Sequence, residues 1–240
     1  IHLKFLERKS GLRVFHSSPL EAFQTLFKEY QVQSVFANRD YEPYARQRDA
    51  EIEAFAGSCG ASFLSFKDQV IFHKNDVLKS DGKPYTVFTP YSKKWLQLFA
   101  QEFRGPVEMP GFEKLLTTET KFPTLEEIGF KNSEITVKNF NLSQLDLYSD
   151  VRNLPSVDAT SYLSPHLRFG TIGIRALIAQ LKPHHESFLN ELIWREVFMQ
   201  ILFHFPRVVH ENFHNKYNGI EWRNNADEFA LWCEGKTGYP

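Results

Sequence analysis

Three short apolar or alternating runs, Leu12-Arg13-Val14-Phe15, Ser34-Val35-Phe36-Ala37 and Phe63-Leu64-Ser65-Phe66, begin 22 and then 29 residues apart. Between them the apolar positions switch to a helical period, so the pattern predicts a parallel βαβαβ layout. The first intervening helix has a clear start: Ser18 can cap it, Pro19 suits its first position and Glu21 can close a capping box. Leu20, Phe23, Leu26 and Phe27 then give one apolar face. A second helix is predicted from about Pro43 to Ala56, and a third from Tyr91 to Gln101, after a turn at Lys79-Ser80-Asp81-Gly82-Lys83-Pro84. Residues 1–103 therefore read as an α/β domain.

From Arg104 to about Leu147 the periodicity fades, and Pro106, Pro110 and Pro123 punctuate a stretch of mixed composition, expected to be an interdomain linker. After Tyr148 the pattern is helical, with a long helix from about Glu186 to Phe205 and another from about Ala226 to Glu234. For the latter, Asn225 can cap, Glu228 can close the box and Gly235 can end the helix. The expected architecture is α/β followed by all-α, over 1–103, 104–147 and 148–240.

Composition narrows the class. Apolar residues are 42% and aromatic residues 15% of the 240 positions, which excludes a disordered or collagen-like chain. The net charge of −1 gives no overall basic field, so a nucleic-acid partner would have to be held by local cations. Cys59 and Cys233 have no pairing or metal-knuckle spacing, so no metal is expected and a reducing, cytoplasmic setting fits. No apolar run approaches the roughly 20 residues of a membrane span. The opening Ile1-His2-Leu3-Lys4 has no initiator Met and no signal-peptide layout, and both ends are expected to be cut from a longer chain.

Candidate chemistry lies in the second half. Thr160-Ser161-Tyr162-Leu163-Ser164-Pro165 places three hydroxyls before or at the start of a helix, suited to a phosphate, although a Thr or Ser N-cap explains it as well. In Asn190-Glu191-Leu192-Ile193-Trp194-Arg195-Glu196-Val197-Phe198, helical spacing puts Glu191, Trp194, Arg195 and Phe198 on one face. An indole beside a carboxylate suits a planar heterocycle such as an extruded base; the ordinary alternative is a Glu-to-Arg pair with the Trp in the core. Trp222, Trp232, Phe198, Phe203, Phe205 and Phe213 are expected to be packing residues on local grounds, and Cys233 a buried spacer. In Tyr148-x-x-x-Arg152-Asn153-x-Pro155 a loop cation could touch a phosphate backbone.

Together, Tyr148 to Pro155, Thr160 to Gly170, Asn190 to Phe198 and Trp232-Cys233-Glu234-Gly235-Lys236-Thr237-Gly238-Tyr239-Pro240 resemble, in order, motifs of the class I DNA photolyase and cryptochrome family. Asn38-Arg39-Asp40-Tyr41-Glu42, with Arg46 to Asp49, and Lys83 to Tyr91 resemble its antenna domain. The resemblance implies a Rossmann-like α/β antenna domain, a helical FAD-binding domain and light-driven splitting of pyrimidine dimers flipped out of DNA. Carried over by position, Tyr148, Thr160, Ser161, Tyr162, Leu163 and Ser164 would hold FAD around its diphosphate, Phe188 would line the flavin site and Arg195 would assist with the phosphates. Arg152 would meet the DNA backbone, Glu191 would hydrogen-bond the dimer, Trp194 would stack on it, and Trp222 would be the outermost electron-transfer indole.

Glu191 just ahead of Trp194 resembles the cyclobutane-dimer branch. The resemblance also implies a monomer and is compatible with a second antenna chromophore, folate or deazaflavin. This chain begins after the family's opening strand, and it stops before the helices that carry the residues beside flavin N5 and the inner tryptophans. A cryptochrome-like photoreceptor without repair activity and a flavin-free nucleic-acid-binding protein are the competing readings.

Overall fold

The computed structural model describes residues 2–107, 111–118, 120–131 and 133–238; Pro110, Tyr239 and Pro240, named above, lie outside the described residues. Nine α-helices are formed among these: α1 (His2–Leu6), α2 (Pro19–Glu29), α3 (Pro43–Ser58), α4 (Phe88–Glu102), α5 (Tyr148–Val151), α6 (Leu163–Arg168), α7 (Ile174–Ile178), α8 (Glu186–His204) and α9 (Ala226–Cys233). Two strands, β1 (Ser34–Asn38) and β2 (Ser62–Phe66), pair in parallel with Ser34 opposite Ser62 and Asn38 opposite Phe66. Parallel pairing demands a crossover connection, and α3 supplies it. Contacts divide the chain into two units, Ile1–His204 and Phe205–Pro240.

Local signals account for several elements. At α2 both halves of the expected box form: Ser18 N donates to Glu21 Oε2 at 3.0 Å, and Ser18 Oγ accepts from Glu21 N at 3.4 Å. Asn225 Oδ1 caps α9 by accepting from Asp227 N and Glu228 N at 3.0 and 3.1 Å, and Gly235 leaves that helix at φ +69°. Glu228 does not close the box; it pairs with Arg223 instead. Leu12-Arg13-Val14-Phe15 is not a strand. Its first amide, Leu12 N, donates to His2 Nδ1 at 3.2 Å and Arg13 pairs with Glu29, so no ladder bonds form along it.

The first unit has two cores. Val35, Ile52, Ala56 and Ala61 close the space between the small sheet and α3, with Leu20, Phe23 and Phe27 of α2 packed against them. The larger core brings Tyr91 and Trp95 of α4 against Ile174, Leu177 and Ile178 of α7 and Phe188, Leu192, Ile193 and Val197 of α8. Val70, Ile71 and Phe72 are buried as well, at 1%, 5% and 2% exposure, although their segment belongs to no strand or helix.

Those buried peptides need partners, and helix side chains provide them. Glu196 Oε2 accepts from Ile71 N at 2.6 Å and Oε1 from Phe72 N at 3.1 Å. One turn on, Gln200 Nε2 donates to Phe72 O at 3.0 Å, and a turn further His204 Nε2 donates to Lys74 O at 2.7 Å. Arg195 Nη1 donates to Gln69 O at 2.7 Å, and Arg175 of α7 reaches the carbonyls of Asp68, Val70 and Ile71 at 3.2–3.4 Å. Glu196 Oε1 also accepts from Trp95 Nε1 at 2.8 Å and from Tyr91 OH at 3.4 Å, which ties α4 into the same point. Burial pushes the Glu196 carboxyl up to about 7, against the opposite pull of these four donors.

The second unit has no buried residue among its described positions. Arg207 organises its first loop by donating to the carbonyls of Asn212 and Phe213 and to Asn215 Oδ1 at 2.7–2.8 Å. Trp222 and Trp232 are 71% and 68% exposed, and Cys233 is exposed too, so none is the packing residue or buried spacer that local pattern suggests.

Replacing Glu196 with Gln keeps the volume but turns an acceptor into a donor facing donors. The expected cost is about 1–3 kcal/mol, read as a lower urea midpoint with unchanged slope. An unshifted midpoint would show that the carboxylate is not what holds this junction.

Candidate functional site

Three polar ties at near-helical spacing fasten α5 alongside the start of α8. Just before α5, Asp146 Oδ1 accepts from His184 Nε2 at 2.5 Å and from His185 Nε2 at 2.7 Å. Ser149 Oγ donates to Ser187 Oγ at 2.9 Å, and Arg152 Nη1 donates to Glu191 Oε1 at 2.6 Å. The two histidines, with Lys182 at 3.4 Å, hold the Asp146 carboxyl well below the ordinary aspartate range.

Asp146, His184 and His185 have metal-ligand chemistry and converge within 4.8 Å. His185 Nδ1, however, accepts Lys182 N–H at 3.2 Å, so its proton sits on Nε2, facing Asp146. That tautomer offers a metal no lone pair at Nε2, and the cluster acts as a clip.

A cavity of about 480 Å³ is lined by residues of both tied helices, Tyr148 and Phe188, together with Arg152, Thr160 and Ser161 among others. Tyr148 and Phe188 meet edge to face, centroids 5.1 Å apart at 90°. Two rings, two hydroxyls and a guanidinium, the last lying 5.4 Å from the centroid of the Tyr148 ring, give one cavity the chemistry for a ligand that is both aromatic and anionic. Ser164 and Arg195 lie elsewhere, in a second cavity of about 510 Å³ shared with Asp40, Gln69 and Arg168. Seven of the sequence-predicted residues thus divide between two cavities.

The turn between them differs from expectation. Neither Thr160 nor Ser161 caps α6: the cap position is Tyr162, with φ +53°, a left-handed conformation rare for a residue with a Cβ. Its phenol bonds Asp158 and accepts from Lys138 Nζ at 2.8 Å, which holds the unusual backbone from outside. Leu163 is buried at 4%, so any contact it makes with a ligand would be through its backbone. Asn141 N donates to Ser161 O at 2.9 Å, tying the hydroxyl segment to the preceding loop.

On α8, Glu191, Trp194, Arg195 and Phe198 do share the outer face, all of them at least partly exposed, while Leu192, Ile193, Glu196 and Val197 point inward. Trp194 is 38% exposed and is not a core residue. Phe88 stacks on it at 3.8 Å and 4°, and Phe198 flanks it at 5.5 Å and 24°. Arg152 and Glu191, read separately from the sequence, are an ion pair. Pattern reading missed Phe88, Asp146 and Lys138, whose partners lie 20 to 106 residues away in the chain.

Beyond the end of β1, Arg39 spans Ser65 and His73: its Nη2 donates to Ser65 Oγ at 2.8 Å and its Nη1 to His73 Nε2 at 2.5 Å. His73 Nδ1 must then carry the proton and donate to Tyr41 OH at 2.6 Å. Burial, reinforced by Arg39, lowers the His73 pKa, and burial lifts Tyr41 to about 12. Arg39, Tyr41, Ser65 and His73 thus form a prewired network beyond the carboxyl end of the strands, the edge where α/β folds take ligands.

Two family models match this chain: DNA photolyase over residues 3–110 and the FAD binding domain of DNA photolyase over residues 188–240. The chain belongs to the DNA photolyase family. A deoxyribodipyrimidine photo-lyase of Halobacterium salinarum is 30% identical, with 99% of this chain aligned to 55% of that one, and the Vibrio cholerae photolyase is 29% identical over 91% and 52%. Among solved structures, a class III photolyase from Agrobacterium tumefaciens matches with a TM-score of 0.74 at 26% identity, covering 92% of this chain and 51% of that chain. An archaeal photolyase from Sulfolobus tokodaii, described with two FAD molecules, matches in fold with a TM-score of 0.77 at 24% identity, covering 100% and 54%.

The chain spans about half the length of the photolyases it matches. The photolyase fold, with its helices and small parallel sheet, is therefore common ground. No helix among the described residues is long and apolar enough to cross a membrane.

The Asp146 clip has a pH signature. A carboxyl held below its ordinary range contributes stability above that range and loses it only as pH falls through the depressed value. Asp146→Asn should therefore lower the melting temperature at neutral pH, with the gap from wild type closing only well below pH 4. A gap that stays constant to pH 2 would remove the ionised carboxylate from the account.

Proposed function

We propose that the protein, at full photolyase length, is a light-driven DNA repair enzyme that splits cyclobutane pyrimidine dimers with FAD as cofactor. One observation carries this reading: five residues singled out for flavin or DNA, Tyr148, Arg152, Thr160, Ser161 and Phe188, line one cavity, and Glu191 at its rim leads along α8 to the exposed indole of Trp194. Photolyase relatives on both halves of the chain support it.

In this reading residues 1–103 form a Rossmann-like antenna domain, 104–147 a linker and 148–240 the beginning of a helical FAD-binding domain. The chemistry that FAD would supply when bound is donation of an electron under light, returned once the dimer has split. The chain's own residues do the holding. Tyr148 and Phe188 wall the cofactor, Thr160 and Ser161 offer hydroxyls to its diphosphate, and the Tyr162 turn and Leu163 present backbone, while Ser164, assigned there by the resemblance, lines the second cavity. Arg195, assigned to the phosphates by the resemblance, lines the second cavity and donates to Gln69 O, so it serves the phosphates only by giving up that bond.

A flipped dimer needs a stacking surface and edge hydrogen bonds, roles for Trp194 and Glu191. Arg152 takes the DNA backbone. Trp222, 71% exposed, has the accessibility of an outermost electron-transfer indole. The partner is damaged DNA, the protein acts as a cytoplasmic monomer, and a folate or deazaflavin is the expected second chromophore.

The deciding test is an absorption spectrum of the full-length protein before and after denaturation, followed by a light-dependent repair assay. A releasable flavin band with repair is expected. Flavin without repair would make the protein a photoreceptor, and no flavin after supplementation would leave DNA binding alone.

Trp194→Ala should weaken binding to dimer-bearing DNA by about 1–3 kcal/mol with flavin content unchanged. Arg152→Ala should weaken damaged and undamaged DNA alike and flatten the salt dependence. A lesion-selective loss would contradict a backbone role for Arg152.

A further inference from the structure

The ring beneath Trp194 comes from the other half of the chain. Phe88 is the first residue of α4, 106 residues before Trp194, and lies parallel to the indole within 4° at 3.8 Å. This is not loose filling. Tyr91 and Trp95 follow Phe88 at i+3 and i+7, on the same face of α4, and both are bonded to Glu196 of α8. Trp194 and Glu196 are two residues apart on α8. The helix that carries Phe88 is thus fixed by hydrogen bonds to the helix that carries Trp194. Phe88 packs on the main core, whereas the indole above it is 38% exposed, with exposed Phe198 beside it.

We infer that Phe88 is a positioning residue for dimer recognition: by covering one face of Trp194 it fixes the plane of the indole and presents the lesion with a preset stacking surface. The inference rests on the repair reading above. An unsupported Trp turns about two side-chain torsions, and a base that stacks on it must first stop that motion. A Trp already clamped against Phe88 has paid that ordering cost during folding. Immobilising one rotamer-rich side chain is worth about three- to tenfold in affinity. Undamaged duplex, whose bases stay in the stack, never touches the plate and should bind equally well with or without Phe88.

The test compares Phe88→Leu, Phe88→Tyr and Trp194→Ala in the full-length flavin-loaded protein, using a duplex with one cyclobutane thymine dimer and the same duplex undamaged. Leu keeps the apolar volume but removes the flat support, and Tyr restores it. The expected result is a loss of about three- to tenfold in dimer affinity for Phe88→Leu, binding within about twofold of wild type for Phe88→Tyr, and unchanged flavin content and undamaged-DNA affinity for both. Phe88→Met provides the same comparison if the Leu variant does not fold.

Wild-type dimer affinity in the aliphatic variant, with a loss in Trp194→Ala, would overturn the role of Phe88 alone. A parallel loss for damaged and undamaged DNA would reduce Phe88 to a packing residue. Unchanged dimer binding in Trp194→Ala would overturn the stacking role of Trp194 itself, and the inference with it.

Discussion

A peptide segment buried outside any sheet is the constraint around which the first unit is built. Val70, Ile71 and Phe72 run through the interior, where an unpartnered amide or carbonyl costs on the order of 1–3 kcal/mol. Glu196, Gln200 and His204, spaced one turn apart on α8, with Arg195 and Arg175, meet the backbone groups there and beside it with side chains. Glu196 then gathers α4 through Trp95 and Tyr91. One carboxylate in one apolar helix therefore sets the spacing between the segment that leaves the small sheet, the helix bearing Phe88, and the helix bearing Glu191 and Trp194. The apolar core fills the space between them, but apolar packing has no direction of its own; the bonds to Glu196 supply the register.

What could be read from the sequence follows from how far each decision reaches along the chain. The α2 start depends on Ser18, Pro19 and Glu21, and all of its physics lies within four residues. The same holds for the Asn225 cap and the Gly235 stop. The Leu12 to Phe15 run has strand chemistry, but a strand requires a neighbour, and in this chain its first amide turns to His2. Glu196 looks like one more charge beside Arg195, since its four donors lie 101 to 125 residues earlier. The outward face of α8 was legible because helical spacing is local, yet the pairing of Glu191 with Arg152 and the support of Trp194 by Phe88 were not. Burial of Trp222, Trp232 and Cys233 was expected from composition, which speaks of averages; in a short stretch with no buried position those averages do not apply.

The candidate site inherits its shape from connections that are individually ordinary. The clip at Asp146 is exposed, the Ser149–Ser187 contact is a single bond, and Tyr162 holds a left-handed backbone through its phenol. None is catalytic chemistry. Together they decide that α5 lies along the first two turns of α8 and that the hydroxyls of Thr160 and Ser161 face the same space as the rings of Tyr148 and Phe188. The polar groups are set before any ligand arrives, which is what a site needs if binding is not to be spent on rearrangement.

The 2.6 Å contact between Arg152 and Glu191 carries a further consequence. Each group is the counterion of the other, so neither is a free charge at the rim of the cavity. An anion that draws Arg152 away releases the Glu191 carboxylate to accept a hydrogen bond elsewhere, and a donor that engages Glu191 frees the guanidinium. Occupancy at one is thereby thermodynamically linked to occupancy at the other, and the linkage is reciprocal. A single surface ion pair, worth little as a source of stability, becomes a coupling element through which two chemically unlike contacts, one with an anion and one with a donor edge, favour each other without any movement of the backbone.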